Sequence, residues 1–576
     1  MKIAVHITHE SVKKIGGIGA VLQGLCTTQA YQGFFDKTLF YGPLFKGGGD
    51  ILSDFTEAGE ILFSSSNGKD RGDYGKLFHE IMQKYAIDIL YGKRELVNEF
   101  DPNKRASVDV VLVETRTMNP VELAKFKYRL WEKFAIQSDL YPYDWDYEQY
   151  LRIAVPFMEI LERLYGADGE YYHFAHEYMG VPSVLSVIMA GKTHQTIFVA
   201  HEVSTARFEV ESHPGHDISF YNILRKAGRG RSLEEVFGSQ KQNPRNELIK
   251  RAVNLDHIFA VSDLVKDEYL FLVPDAPAEK IKTVYNGLSV KDITWDEKNN
   301  SRKRIEKYWK ALLDFVPDVI FTHICRMVIS KGLWRDISLL YCLDDILSAQ
   351  NLKGAYILLS TLIATGRPPE DILKMEKEYG WPVVHREGWP DLVGMEAELY
   401  KYLEIFNAQS KAIKGLFINQ FGFDRKRCGV RVPEDAEFND LRIASDAEFG
   451  FSLYEPFGIA HLEALPFGGV SLISSCCGCK YFLQKIFKDA AIKPFYVVDF
   501  INAAKEMNYE ELKELSRERR TKMERELFSS HAQSIFEILP LGEAKKEEYL
   551  ENARQHNPAL GWEYVVENYF LPNLST

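Results

Sequence analysis

The chain has 576 residues, 46% of them hydrophobic, and sets 70 Lys and Arg against 82 Asp and Glu, a formal net charge of -12. That length exceeds what one hydrophobic core organises and fits two large lobes, and the acidic balance argues against a general polyanion-binding surface, nucleic acid included. No uninterrupted apolar run reaches the ~18 residues of a membrane span, and MKIAVHITHE enters an alternating strand in place of a basic-then-apolar leader, so a soluble cytoplasmic protein is expected.

The first predicted strand, KIAVHIT, is followed by Lys14-Ile15-Gly16-Gly17-Ile18-Gly19 and then by the helical pattern AVLQGLCTTQA. Glycines in that position let backbone N–H groups approach a pyrophosphate, the helix N-terminus adds the positive end of its dipole, and Lys14 adds a full charge. The spacing satisfies neither GxGxxG nor a Walker A loop. Taken alone, a Gly-Gly-x-Gly turn serves a tight loop as readily.

Residues 88 to 165 read as a helical insertion dense in aromatics (LWEKF, LYPYDWDYEQY). Flat apolar sugar faces stack on Tyr and Trp, although such side chains more often fill a core. The β-branched runs VDVVLVE, QTIFVAHE, DHIFAVS and KIKTVYNG continue a strand-helix alternation to about residue 300, which gives a Rossmann-like first lobe over residues 1–300. His6, His9, His173 and His257, each beside a strand, read as hydrogen-bonded scaffold.

A charged helical segment, DEKNNSRKRIEKYWKALLDF, precedes Pro317. DVIFTHICR, AYILLS, PVVHREG, GLFINQF, AEFGFSL and GVSLISS then restart the alternation, which predicts a second α/β lobe over 316–530. Its first strand ends at Arg326, and MVIS leads to Lys331-Gly332 at the start of a helix. Two cations at a strand's C-terminal end can neutralise a leaving diphosphate, and can equally be solvated surface charge. Further on, Tyr454-Glu455-Pro456-Phe457-Gly458-Ile459-Ala460-His461-Leu462-Glu463 again joins a strand to a predicted helix. Glu455 is expected on the loop facing a transferred sugar. Glu463, about two turns into the helix, is expected at a ribose hydroxyl pair, with N–H groups near Phe457, Gly458 and Ile459 pointing at the same pocket. The plainer alternative is a capping residue plus a solvent-facing Glu.

Seven cysteines, three of them in CCGC at Cys476, Cys477 and Cys479, read as reduced thiols. The cluster lacks a second CxxC or paired His for zinc and suits small residues in a strand-to-helix turn. From residue 531 the pattern is helical, with aromatics spaced to pack, and predicts a tail over 531–576 that crosses back to the first lobe.

In the order K-x-G-G-x-G, R-x4-K-G and E-x7-E within EPFG, the chain resembles the glycogen and starch synthases. His176-Glu177 in HFAHEYMG, His201 in FVAHEVSTARF and Asp446 in ASDAEF extend the resemblance across residues 1 to 480, and LWEKFAIQSDLYPYDW is similar to the animal and fungal branch. The resemblance implies a GT-B fold, two Rossmann-like α/β lobes facing a central cleft, and a retaining transfer of glucose from ADP- or UDP-glucose to an α-1,4-glucan that needs no metal or other cofactor. It implies that Lys14, Gly16, Gly17, Arg326 and Lys331 hold the diphosphate, Glu463 the ribose, and that Glu455 sits by the anomeric carbon. It also places His201 beneath the sugar and His176 and Glu177 on the acceptor side.

The chain departs from the family pattern at Ala20, where bacterial synthases carry Asp, at Glu177 in place of Asp, and at EPFG in place of EPCG. A related transferase acting on a small sugar, lipid or cell-wall acceptor, and a non-catalytic nucleotide-sugar-binding regulator, are the alternatives. The expected partners are a nucleotide-sugar donor and a glycan acceptor, and homo-oligomerisation is left open.

Overall fold

A computed structural model describes residues 1–12, 16–45, 55, 59–228, 230–363, 365–379 and 392–574. The chain divides into two compact units. Met1–Ala206, Ala227–Ser289 and Gly561–Thr576 form the first, and Arg207–Lys226 and Val290–Leu560 the second.

The first unit is built on ten strands: β1 (Lys2–Ile7), β2 (Lys37–Pro43), β3 (Gly59–Ser64), β4 (Lys69–Asp70), β5 (Asp88–Val97), β6 (Arg105–Glu114), β7 (Glu170–His176), β8 (Gln195–Ala200), β9 (His257–Ala260) and β10 (Ile281–Thr283). They lie in the order β10-β9-β8-β7-β1-β2-β6-β5-β3-β4. From β10 to β6 every pairing is parallel, whereas β5 runs antiparallel to both β6 and β3. The near-continuous burial of β1, β7 and β8 is what a parallel strand covered on both faces requires. The chain leaves β1 for β2 on one side and later lays β7 on the other, so the sheet reverses its winding at β1/β7.

The second unit carries six parallel strands: β11 (Val319–Ile324), β12 (Gly354–Leu359), β13 (Ile413–Ile418), β14 (Ala447–Gly450), β15 (Val470–Ser474) and β16 (Phe495–Val498). Their order, β13-β12-β11-β14-β15-β16, reverses between β11 and β14. The helix Trp295–Leu313, started by a Thr294–Glu297 capping box, buries Tyr308 and Trp309 in a core with Ile320, Ile357 and Ile418.

Three expected boundaries are corrected. The segment expected as a helical insertion over 88–165 opens with β5 and β6, paired from Asp88↔Glu114 to Val97↔Arg105, and only then turns helical over Pro120–Phe134, Trp145–Ala154 and Phe157–Tyr165. Its β-branched stretch and the turn at Asp101-Pro102-Asn103 decide for a hairpin. Residues 207–226 leave the span expected for the first lobe and join the second unit, where Asp217 meets fully buried Arg335 at 2.7 Å. Within the tail expected over 531–576, only Gly561–Thr576 joins the first unit. There Phe570 lies 5.4 Å from Phe174 and 5.9 Å from Phe259 between ring centroids, while the helix Glu543–Leu560 stays with the second unit through Asn557 and Asp292.

Candidate functional site

Open α/β sheets bind ligands at the C-terminal strand ends that flank a winding reversal. Among the described residues, Arg326 and Lys331 follow β11 and Glu455 follows β14 in the second unit, while in the first unit Gly16 and Gly17 follow β1, His176 ends β7, and His201 lies one strand further, after β8.

In the second unit, the chain leaving β11 passes Arg326 and a short 3-10 turn, Ile329–Lys331, to Gly332, the N-cap of the helix Leu333–Ala349. Gly332 has φ +61°, and a Cβ there would stand 2.8 Å from the Phe451 carbonyl oxygen, so the turn is held against the segment after β14. This brings Lys331 Nζ onto Glu455 Oε2 in an ion pair whose side chains are 15% and 13% exposed. Glu455 Oε2 also lies 3.2 Å from His461 Nε2, which in turn lies 3.1 Å from Ser452 Oγ. Burial alone would raise the Glu455 carboxyl, but the Lys331 ammonium and then His461 outweigh it and hold the group well below its ordinary range. Burial lowers His461 despite Glu455, so a neutral imidazole stands beside a charged carboxylate.

The Glu455 turn is braced from the next strand connection. The Glu455 and Phe457 carbonyls accept from the Gly478 and Cys479 N–H groups, each at 2.9 Å. Cys476, Cys477 and Cys479 are buried free thiols there; Cys476 Sγ donates to Asp217 at 3.1 Å and Cys477 Sγ to the Gly450 carbonyl at 3.2 Å. Phe457 is buried, and Gly458 at φ +97° leaves no room for a Cβ, which would fall 2.8 Å from Glu455 Cγ.

Expected two turns into a helix, Glu463 instead follows a single 3-10 turn, Ile459–Leu462. Pro466 and the glycines at 468 and 469 end the helical pattern there. Glu463 Oε2 pairs at 2.5 Å with Arg442, which also reaches fully buried Glu448 at 2.7 Å; Glu448 in turn accepts the Ile324 N–H at 2.9 Å. A chain of charge therefore ties Glu463 to the end of β11. Arg326 is exposed, and no other described side chain pairs with it. The two cations read together from sequence thus differ: Lys331 is locked onto Glu455, and Arg326 is free to meet an anion.

In the first unit, Gly17 is the N-cap of the helix Ile18–Cys26 and Gly16 is exposed beside it. Lys14 lies outside the described residues. Glu10 carries a role that sequence reading missed, since its carboxylate accepts the Gly19 N–H at 2.8 Å and so supplies an anion to the first turn of this helix. At the ends of β7 and β8, His176 Nδ1 and His201 Nε2 are 2.8 Å apart, and His6 Nδ1 lies 2.9 Å from His176 Nε2. His6, read as scaffold, is thus joined to both expected site histidines. Burial pushes His201 down to about 4 and His176 well below the ordinary imidazole value, the latter assisted by its two neighbours.

Buried Glu177 adopts φ +59°, strained for a side chain of its size, and accepts the Glu202 N–H at 2.7 Å. Burial and then Glu202 raise its carboxyl well above the usual range. Among the described residues no helix is long and apolar enough to cross a membrane, and no group of three or more His, Cys, Asp and Glu could hold a metal ion.

No protein-family profile and no curated protein sequence matches the chain. Among solved structures it is similar to an α,α-trehalose-phosphate synthase (UDP-forming) from Burkholderia xenovorans in complex with glucose-6-phosphate, at TM-score 0.50 and 12% identity over 100% of this chain and 99% of that one. It also matches a trehalose-6-phosphate protein of E. coli bound with UDP-2-fluoro glucose, at TM-score 0.49 and 11% identity over 100% and 99% of the two chains. The catalytic domain of starch synthase IV from Arabidopsis thaliana bound to ADP and acarbose matches at TM-score 0.47 and 13% identity over 96% and 99%. The likeness to the Burkholderia structure covers both units and shows the fold, that of the GT-B glycosyltransferases.

Proposed function

We propose that the chain is a retaining glucosyltransferase that moves glucose from ADP- or UDP-glucose to the non-reducing end of an α-1,4-glucan. The observation that carries this reading is the mostly buried Lys331–Glu455 pair at the β11/β14 reversal, with Glu463 held nearby in sequence by Arg442. A charged carboxylate kept deprotonated by its own lysine suits a sugar carbon that becomes cationic, and the cations of the same strand end suit the diphosphate that leaves it. Exposed Arg326 takes the diphosphate, assisted by Lys331 from within its mostly buried pair with Glu455, Glu463 takes the ribose, and the N–H groups around Phe457, Gly458 and Ile459 make the remaining donor contacts.

The bond between the anomeric carbon and the diphosphate oxygen breaks, and the acceptor hydroxyl bonds to that carbon on the face the diphosphate leaves. Its proton passes to the departing phosphate oxygen, so the anomeric configuration is kept. Within the first unit, the resemblance assigns His176 and Glu177 to the acceptor side, His201 to a sugar, and Gly16 and Gly17, at the start of the helix Ile18–Cys26, to a phosphate. Exposed Tyr128, Trp131, Tyr143 and Trp145 offer flat apolar faces that favour a long glycan over a small acceptor.

The test is transfer from labelled ADP- and UDP-glucose to glycogen, maltose and glucose-6-phosphate, read beside heat protection by each nucleoside diphosphate. A true donor product at about 100 times its dissociation constant stabilises by about 2.7 kcal/mol. Transfer to glucose-6-phosphate alone would replace the glucan acceptor with a small one, and protection by neither diphosphate would end the donor assignment.

A further inference from the structure

β1, β7 and β8 lie side by side, and a histidine stands at or next to the C-terminal end of each. In the parallel register His6 faces Phe174 and His176 faces Val199. His176 is two residues past Phe174, and His201 two past Val199. A two-residue step returns to the same face of a strand, so the three rings climb diagonally across one face of the sheet. Their centroids are spaced 5.1 and 5.2 Å, close to the ~4.8 Å between neighbouring strands.

The contacts form one unbroken line. The Tyr31 hydroxyl lies 2.9 Å from His6 Nε2, His6 Nδ1 2.9 Å from His176 Nε2, and His176 Nδ1 2.8 Å from His201 Nε2. At the far end the same Tyr31 hydroxyl is 3.2 Å from Thr38 Oγ1. His6 is stacked on Phe174 with centroids 4.6 Å apart, which fixes its ring plane. Burial pushes His6 down to about 3 and keeps the other two rings neutral as well.

A neutral imidazole has one N–H and one acceptor nitrogen, so placing the proton on one ring places it on all three. Either Tyr31 donates to His6 and each ring donates onward to His201, or His201 donates inward, His6 donates to the Tyr31 oxygen, and the Tyr31 hydroxyl donates its hydrogen bond outward to Thr38 or Cys26. Any mixed state sets two N–H groups or two lone pairs against each other in a buried line and forfeits a hydrogen bond there.

We propose that His6 and His176, anchored by Tyr31, are positioning residues that fix the tautomer and ring plane of His201. The inference rests on the assignment of His201 to the transferred sugar. A ring held neutral there places no positive charge against a sugar carbon that itself becomes positive, and it presents one defined nitrogen function, donor or acceptor, away from the line.

Ring-nitrogen NMR of the full chain with 15N-labelled histidine at pH 7 tests this without reference to turnover. The expected result is a single neutral tautomer for each of the three rings, and in Tyr31→Phe a joint change at His6, His176 and His201. A response confined to His6, or a tautomer mixture at His201 in the wild type, would overturn the proposal. If Tyr31→Phe does not fold, the double variant Cys26→Ala/Thr38→Val, which removes both outer partners of the Tyr31 hydroxyl, is read the same way.

In the transfer assay Tyr31→Phe should lower kcat about tenfold and leave the donor KM within about twofold. An unchanged kcat would overturn the positioning role. A protein that transfers no sugar yet shows the three-ring response would instead count against the function proposed above and leave the tautomer relay standing.

Discussion

Lys331 and Glu455, 124 residues apart in sequence, close an ion pair between the turn after β11 and the loop after β14. Each partner holds the other in its charged form against burial, since Glu455 raises Lys331 as Lys331 depresses Glu455. Glu455→Gln keeps the shape and the hydrogen-bonding reach but removes the charge. Transfer should fall by at least about 100-fold while the circular dichroism spectrum is unchanged. Full activity in that variant would defeat the assignment. Lys331→Ala should cost about 2 to 4 kcal/mol in kcat/KM for the donor.

Arg442 holds Glu463 from below, so its loss should be felt at the nucleotide before the sugar. Arg442→Met frees Glu463 and strands Glu448, which is fully buried. Nucleoside diphosphate affinity, measured by calorimetry, should drop by about 1 to 3 kcal/mol, and unfolding in urea should show a loss of about 3 kcal/mol or more for the uncompensated charge. Equal affinity in wild type and variant would remove Glu463 from the nucleotide site.

Acid should weaken the first unit through its neutral histidines. Folded His6 titrates at about 3, against 6.5 for an unfolded imidazole, so the unfolded chain takes up its proton first. The stability that depends on keeping His6 neutral is complete above about pH 6.5 and is lost as pH falls toward 3. Between pH 6.5 and 5 this amounts to about 2 kcal/mol. Glu177, raised by burial, acts with the opposite sign above about pH 4.5, so the informative quantity is the difference between wild type and His6→Asn. Urea unfolding across that range should give a shallower acid loss in the variant, and parallel curves would contradict the buried neutral ring.

The return of the chain to the first unit depends on a backbone approach that only glycine permits. A Cβ at Gly287 would stand 2.6 Å from Trp562 Cα, and one at Gly24 2.0 Å from Trp562 Nε1. Gly287→Ala should destabilise by about 1 to 3 kcal/mol in thermal unfolding and expose the C-terminal segment to protease. Unaltered proteolysis and melting would show that Gly561–Thr576 is not held by this contact.

Much of the site was legible because its signals are local. A glycine turn after a strand, a Lys-Gly at a helix start and a Glu-Pro-Phe-Gly loop each declare themselves within about ten residues, through backbone geometry that few residue types allow. Periodicity likewise announced two α/β lobes. Where a local pattern is cut short, the reading misses: the spacing puts Glu463 about two turns into a helix, and the proline and glycines beyond it end the turn before one forms. In 88–165 the run VDVVLVE reads as a strand and stands as β6, whereas β5, which carries Lys93, Arg94 and Glu95 among its apolar residues, becomes legible only through its pairing with β6.

The sequence by itself determined the strand-helix grammar and the chemistry of each loop, because those follow from propensities and spacings along one stretch of chain. Only the tertiary structure decided that His6 meets His176, that Lys331 meets Glu455 and not Arg326, that Arg442 holds Glu463, and that residues 207–226 belong with the second unit. Those partners are set by which strands lie side by side and in what register. That choice minimises buried unpaired charge and exposed apolar surface over the whole fold, and no single window of sequence contains it.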